Sequence, residues 1–261
     1  MTVMAKLPKS ALCEDCQARH QGVCGALTAE QLEQLAQHAQ RRTVHAGETL
    51  MDPTRKMARF SVILKGAVKL TKLMPDGRQQ IVGLQYAPDF LGRPYSKEVD
   101  LSVESVTEST LCTFPRHLVE RMIEENAELE HRLYLQALSE LDEARDLLLT
   151  LGQKTARERV STFLVLIARQ AHHQRGDGEV QSINLLLTRA EIADFLGLTI
   201  ETVSRQLHKL QDAGLVELAP RKGIRIVDCD RLKTEAGLED NPLADFAPLP
   251  VKSADRTSQN T

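Results

Sequence analysis

The chain has 261 residues, of which 42% are hydrophobic and 3% aromatic, with no tryptophan and a formal net charge of −3. This length favours two domains with aliphatic cores, and the scarcity of aromatic residues excludes a stacking platform for single-stranded nucleic acid. Because no apolar run reaches the length of a signal peptide or a bilayer span, we expect a cytoplasmic protein with no membrane partner.

The N-terminal segment, residues 1–27, is defined by its cysteines, which follow a C-x2-C-x7-C pattern at Cys13, Cys16 and Cys24. The segment has too few apolar residues to need these thiols as core. In a reducing compartment, thiols so spaced are expected to ligate zinc or an iron–sulfur cluster rather than to form disulfides. Candidates for a fourth ligand are Cys112, Cys229 and His20. The spacing alone leaves the cluster, zinc and unligated thiols open.

Residues 28–115 are expected to form a sensor domain. Thr28, followed by Gln31, predicts the start of a short amphipathic helix. After it come short runs rich in β-branched residues, such as RFSVILKGAVKLTKL and VDLSVESVTESTLCTF, broken by Gly, Pro and Asp. Pro75-Asp76-Gly77 between two such runs predicts a hairpin turn. The pattern therefore predicts a small antiparallel β-roll.

Helical periodicity replaces the strand pattern over residues 116–151. Apolar residues recur there at spacings of three and four, at Tyr134, Ala137, Leu141, Ala144, Leu148 and Leu151. This heptad spacing predicts a dimerisation helix in a parallel homodimer. The alternative is an amphipathic helix that faces the core of a monomer.

Residues 152–233 are expected to form a winged helix-turn-helix domain. ARERVSTFLVLIARQA predicts a helix, HHQRGDGE a loop, and AGLVELAPRKGIRIVD a closing β-hairpin. Between them, Thr188 is predicted to cap one helix, Gly197 to form a tight turn, and Thr199 to cap a second helix. The tail, residues 234–261, is rich in proline and polar residues and is expected to be loosely ordered.

The second of these helices has the chemistry of a DNA-reading helix. Burial of Val203, Leu207 and Leu210 turns the polar residues outward. The predicted DNA-binding residues are Thr199, Glu201, Thr202, Ser204, Arg205, His208 and Lys209. An arginine can bond guanine O6 and N7, and a glutamate can accept from the cytosine amine. The alternative is that Glu201 and Arg205, four residues apart, form a surface ion pair.

The order of these parts, together with GLTIETVSRQLHKLQDAGLV and CEDCQARHQGVC, resembles the CRP/FNR superfamily, and within it the FNR-type, FnrN/FnrL-like oxygen-responsive regulators. The resemblance covers about residues 12–228. It implies an α+β fold with a roll like that of cyclic-nucleotide-binding domains. It also implies a [4Fe–4S] cluster held by Cys13, Cys16, Cys24 and Cys112. Dimeric binding to double-stranded DNA at a palindrome of TTGAT-type half-sites, read by Glu201, Ser204 and Arg205, is implied as well.

The resemblance has limits that bear on the effector and partners. The cyclic-nucleotide branch holds its ligand with a Gly-Glu pair and a later Arg followed by Ser or Thr. Here Arg93 follows Gly92, and no Arg-Ser or Arg-Thr pair follows within the roll up to residue 115, so cAMP is not expected to bind. The hairpin near Pro75 lies where such regulators contact RNA polymerase. No nucleotide loop or paired carboxylates indicate an enzyme; the remaining alternative is a zinc-stabilised or small-ligand-responsive regulator without a cluster.

Overall fold

The computed structural model describes residue 13 and residues 16–54, 57–96, 100–175, 182–219 and 223–238. Its first compact unit contains the chain up to Gln153 together with residues 186–200; the second contains residues 154–185 and those from Glu201 onward. The predicted fold class is confirmed: an antiparallel β-roll, a long helix and a C-terminal helix-turn-helix with a small sheet. None of the helices in the described ranges is long and apolar enough to cross a membrane.

Short helices precede the roll. Helix α1 spans Gln17–Gln21, a 3-10 helix spans Val23–Ala26, and α2 spans Ala29–His38. We call the 3-10 helix the Cys24 turn. The helix start predicted at Thr28 is confirmed, because the Thr28 hydroxyl accepts from the Gln31 N–H and the Gln31 side chain accepts from the Thr28 N–H.

The roll consists of two antiparallel four-stranded sheets, ordered β1-β8-β3-β6 and β2-β7-β4-β5. Their bounds are β1 Gln40–Val44, β2 Thr49–Met51, β3 Arg59–Lys65, β4 Ala67–Leu73, β5 Gln79–Tyr86, β6 Phe90–Leu91, β7 Ser102–Ser105 and β8 Ser109–Pro115. The turn predicted at Pro75-Asp76-Gly77 joins β4 to β5, and its Gly77 has a φ of 87°. Val44, Ile63, Val68, Leu91, Val103 and Leu111 form the core inside the roll.

Gly66, between β3 and β4, is required by its surroundings. It has a φ of +97°, and a Cβ there would lie 2.1 Å from Ser109 Oγ and 2.7 Å from Ser109 Cβ. Ser109 is fully buried. Gly66→Ala is therefore expected to lower the free energy of unfolding by about 3 kcal/mol, from backbone strain plus overpacking.

Urea denaturation measures this change, and Gly47→Ala is the matched control. Gly47 has a φ of +85°, and no atom of the described residues lies within 4 Å of its Cβ position, so only the backbone strain of about 1 kcal/mol applies. Equal destabilisation of the two variants would show that the Ser109 contact is unimportant.

The segment predicted as one dimerisation helix contains a break. Helix α3 spans Arg116–Glu125 and α4 spans Ala127–Gln153. Between them Asn126 has a non-helical φ of −136° and ψ of 98°, and its Oδ1 accepts from the N–H groups of Glu128 and Leu129. Asn126 thus caps the start of α4. The apolar period continues through Asn126, and neither glycine nor proline occurs at this position. The sequence pattern therefore did not predict a break in the helix.

In the second unit, α5 spans Ala156–Arg175, so the loop predicted for HHQRGDGE begins four residues too early: HHQR is helical, and GDGE lies outside the described residues. Strands β9 Ser182–Asn184, β10 Val216–Leu218 and β11 Gly223–Ile226 form one sheet in the order β10-β11-β9. A last helix, α8 Cys229–Ala236, was not predicted; it begins where the Asp228 side chain accepts from the Arg231 N–H. The rest of the predicted tail, residues 239–261, lies outside the described residues.

Candidate cysteine centre and nucleic-acid interface

Two cysteines of the N-terminal segment, Cys16 and Cys24, pack against the apolar cluster that contains Cys112. Cys112, on β8, is 9% exposed and belongs to the cluster formed by the outer face of the first sheet and the helices around it. Cys16 and Cys24 pack against the same cluster, and Cys13 is half-buried. Residues 88 positions apart along the chain, from Cys24 to Cys112, are thus brought to one place.

The thiols are near enough to influence one another's ionisation. Burial, followed by the charges of Cys112, Cys16 and Cys13, raises the pKa of Cys24 to about 12. Burial likewise raises the pKa of Cys112 to about 12, and the nearby Arg41 opposes this rise. Arg41 is the residue directly opposite Cys112 in the β1–β8 register. It is a cation beside the thiols that the sequence pattern did not indicate.

A closed ligand set is not formed by these side chains alone. Within the described ranges, no group of three or more His, Cys, Asp or Glu side chains is arranged to hold a metal ion. The donor chemistry nevertheless fits an iron–sulfur cluster, which takes four thiolates and is tuned by burial and hydrogen bonds. Among the other candidate ligands, His20 is exposed on α1, and Cys229 is half-buried at the start of α8 in the second unit.

The Cys24 turn is hydrogen-bonded to Arg132 of the long helix α4 and to Asn126, the residue that caps this helix. Arg132 Nη1, on α4, donates to the Gly22 carbonyl oxygen at 3.2 Å, immediately before the turn. Asn126 Nδ2 donates to the Ala26 carbonyl oxygen at 2.9 Å, at the end of the turn. A Cβ on Gly25 would lie 2.6 Å from the Arg19 carbonyl oxygen and 2.8 Å from Arg132 Nη1, so glycine is needed there because the backbone of α1 approaches closely.

Helix α4 has an exposed apolar face. Among the predicted seam residues, Tyr134, Ala137, Leu141 and Leu148 are exposed, whereas Ala144 and Leu151 are half-buried. Leu135, Leu138 and Leu149 are also exposed and were not in the predicted seam. The opposite side of the helix is bound to the roll, because Gln136 exchanges hydrogen bonds with the Phe90 backbone and Glu140 accepts from Gln85 Nε2 at 2.6 Å.

The turn of the helix-turn-helix has the predicted local chemistry. Helix α6 spans Arg189–Leu196, and Thr188 and Glu191 form a capping box at its start. Glu191 also accepts from Lys69 Nζ at 2.7 Å, within the first unit. Gly197 ends the helix in the left-handed conformation, with a φ of 60° and a ψ of 42°. A residue with a Cβ would be strained there.

Helix α7, Ile200–Asp212, presents the polar face that the sequence predicts. Val203, Leu207 and Leu210 are at most 1% exposed. Glu201, Arg205, His208 and Lys209 are exposed, Thr202 and Ser204 are half-buried, and the exposed Thr199 directly precedes the helix. Arg205 Nη2 donates to the Thr202 hydroxyl at 3.3 Å, and His208 Nδ1 lies 2.8 Å from the Ser204 carbonyl oxygen.

Comparison with known proteins finds family matches for both the roll and the helix-turn-helix domain. Residues 41–126 match the cyclic nucleotide-binding domain family and residues 158–235 the Crp-like helix-turn-helix domain family. A probable transcriptional activator of Rhizobium leguminosarum bv. viciae is 50% identical over 85% of this chain and 91% of its own length. The transcriptional activator protein FnrL of Cereibacter sphaeroides is 39% identical over 86% and 92%. The structure of FixK2 from Bradyrhizobium japonicum is similar with a TM-score of 0.68 and 28% identity, covering 75% of this chain and 96% of that one.

Proposed function

Because the chain belongs to the FNR-type branch of the CRP/FNR family, whose members here are DNA-binding transcriptional activators, we propose that it is an oxygen-responsive regulator and not an enzyme. In this proposal a [4Fe–4S] cluster held by Cys13, Cys16, Cys24 and Cys112 controls a homodimer. The observation that supports this proposal is that Cys16 and Cys24 pack against the group of buried apolar side chains that includes Cys112. The Cys24 turn is in addition joined to α4 by a hydrogen bond from Arg132.

DNA recognition is assigned to the exposed face of α7. Glu201 and Arg205 are exposed near its start, where side chains of a recognition helix reach base edges in the major groove. Arg205 is proposed to bond a guanine, Glu201 a cytosine amine, and Ser204 either partner. Contacts to the sugar–phosphate backbone of the DNA are proposed for the flanking residues Thr199, Thr202, His208 and Lys209. Two such helices related by a two-fold axis require an inverted-repeat site.

The cysteines are proposed to hold the N-terminal segment against the roll. When bound, the cluster supplies iron–sulfide bonds that oxygen breaks. The chain's contribution is to bring the Cys24 turn and strand β8 together through ligands at Cys24 and Cys112, in an apolar setting that limits water. Arg41, opposite Cys112 on β1, places a positive charge beside the negatively charged ligand set.

The Cys24 turn is proposed to pass this constraint to α4. Arg132 donates a hydrogen bond at one end of the turn, and Asn126 donates one at the other end. Asn126 is also the residue whose Oδ1 caps α4, so the position of the turn and the start of the helix are fixed by one side chain. Holding the turn therefore favours one position of the helix over others.

The exposed face of α4 is proposed to bind the same helix of a second copy. Tyr134, Leu138, Leu141 and Leu148 are between 38% and 70% exposed in the single chain. Their spacing of four, three and seven residues is that of a coiled-coil seam. RNA polymerase is proposed as a further partner of the DNA-bound dimer, with no contact residues assigned, and cAMP is not proposed as a ligand.

Purification without oxygen followed by absorption spectroscopy tests the proposal. We expect broad visible absorption that bleaches in air, with about four irons per chain. The same samples should bind an inverted-repeat duplex more tightly before exposure to air than after it. A colourless, zinc-loaded protein that binds DNA equally in both conditions would favour the zinc-stabilised or ligand-responsive alternative.

The hydrogen bonds to the Cys24 turn lead to a separate prediction. Arg132→Gln removes the donor to Gly22, and Asn126→Asp removes the donor to Ala26 while keeping the acceptor that caps α4. Both variants are expected to bind iron normally but to reduce the ratio of anaerobic to aerobic DNA affinity by about 2- to 30-fold. Iron content and fluorescence anisotropy with the duplex measure the two effects.

Arg121→Gln is the control, since Arg121 is an exposed arginine on α3 and neither of the hydrogen bonds to the turn described above involves it. If Arg132→Gln and Asn126→Asp respond to oxygen as fully as this control does, the coupling runs by another route.

A further inference from the structure

A cavity of about 570 Å3 lies in the first unit, at one end of the roll between its two sheets. Its floor is the inner face of the sheet β1-β8-β3-β6, and residues around β2 line the other side. A cavity of this size is large enough for a small organic molecule. Neither Gly92 nor Arg93, which fall at the position of the cyclic-nucleotide motif, lines it.

The cavity arises from a change of side-chain type along the inner face. In the middle of the roll, Ile63 of β3 is opposite Leu111 of β8, and both belong to the apolar core. The next pair on the same face, two residues from Ile63 and Leu111, is Ser61 of β3 opposite Thr113 of β8. Thr113 is in turn opposite Gln40 of β1. Because strand side chains alternate, an apolar residue at these positions would have continued the core. Small polar side chains leave the space open.

Arg59 lies on the same face, two residues before Ser61, and its charge is incompletely satisfied. Its Nη2 donates to the Thr113 carbonyl oxygen at 3.0 Å and to that of His38 at 3.4 Å. Its Nε is buried and has no hydrogen-bond partner, and no ion pair joins Arg59 to another residue in the described part of the chain. Arg59 is half-buried, so its guanidinium is only partly hydrated and has no counter-ion among the described residues, which is an unfavourable state for a charge.

The other charged groups of the lining leave an excess of positive charge. Arg42 reaches Glu48 only at 3.8 Å and keeps 47% of its side chain exposed. Asp52 is the acidic residue of the lining, and its Oδ1 accepts from the N–H and the hydroxyl of Thr54 at 2.8 and 2.6 Å. Leu50 and Met51 give the cavity an apolar wall.

We propose that this cavity binds a small amphipathic organic anion, with its carboxylate or phosphate near Arg42 and Arg59 and its apolar body against Leu50 and Met51. The anion supplies the counter-charge that Arg59 lacks. Such a ligand bridges the two sheets of the roll and gives the regulator a second input. The site contains none of the four cysteines, although its lining residues Arg42 and Thr113 directly follow Arg41 and Cys112 on β1 and β8.

The fluorescent anion 8-anilinonaphthalene-1-sulfonate, titrated into the full chain in air, tests this proposal. We expect saturable binding of about one molecule per chain, displaced by octanoate. Ser61→Leu fills the cavity and should abolish this binding. Arg42→Gln removes one charge from a partly exposed position without disturbing the core, and should weaken it about tenfold.

Arg78→Gln is the matched control, because Arg78 is an exposed arginine that pairs with Asp76 outside the cavity. It should bind the probe like the unmodified chain. Probe binding that is unchanged in both Ser61→Leu and Arg42→Gln, or that octanoate does not displace, would overturn the proposal. Since the titration is made without the cluster, its failure leaves the oxygen response untouched, and loss of the oxygen response leaves the titration interpretable.

Discussion

Replacement of Cys24 by serine is expected to abolish the oxygen-sensitive visible absorption and to lower anaerobic DNA affinity by about 5- to 150-fold, the range of typical coupling energies. Cys24 packs against the same apolar cluster as Cys112 and sits in the turn bonded to α4. Serine is nearly the same size but is a poor ligand for iron, so the fold should persist while the ligand set is lost. Iron content, absorption spectra and DNA anisotropy without oxygen measure the result.

Cys229→Ser is the control for this prediction. Cys229 is also a half-buried thiol, but it begins α8 in the second unit. The control should keep its iron, its spectrum and its anaerobic affinity. The cluster assignment is wrong if Cys24→Ser keeps a full complement of iron, or if Cys229→Ser loses it.

The second large effect is expected from the exposed face of α4. Leu148 is 70% exposed in the single chain, so Leu148→Glu should not disturb the chain's own core. In a dimer seam, however, the new carboxylate would face its own copy in an apolar interface. We expect a monomer at micromolar concentration and a loss of DNA affinity of about 100-fold or more, because the two reading helices no longer bind together. Sedimentation velocity and anisotropy measure the two changes.

Leu73→Glu makes the same chemical change at a leucine that is 69% exposed, at the end of β4. It should remain a dimer and bind the duplex normally. A dimeric Leu148→Glu protein with normal affinity would mean that another surface joins the subunits.

Features set by neighbouring residues were predicted well from the sequence. The helix cap at Thr188, the tight turn at Gly197 and the hairpin at Gly77 each depend on a few adjacent residues with strong backbone preferences. The buried face of α7 was likewise predicted from its period, although the burial of Gln206 among its apolar residues was missed.

Features that depend on distant contacts were not predicted from local pattern. The break at Asn126 is stabilised by Ala26 and Gln31, about a hundred residues earlier, so the helical period runs through it unmarked. The heptad spacing predicts Ala137 and not Leu138 for the seam, but both fit a heptad and both are exposed in the single chain. The link from Cys112 to the N-terminal cysteines came from the family resemblance, since spacing alone allowed Cys229 and His20 as well.

The length of α4 has a mechanical consequence. Its 27 residues make a rod of about 40 Å at 1.5 Å per residue. The helix starts directly after Asn126, which is hydrogen-bonded to the Cys24 turn, and it ends at Gln153, the last residue before the second unit. If α4 tilts by about 5° about its N-terminal end, near the cysteines, Gln153 at its C-terminal end moves by about 3.5 Å. A small rearrangement at the cysteines would therefore produce a larger displacement at the far end of the helix.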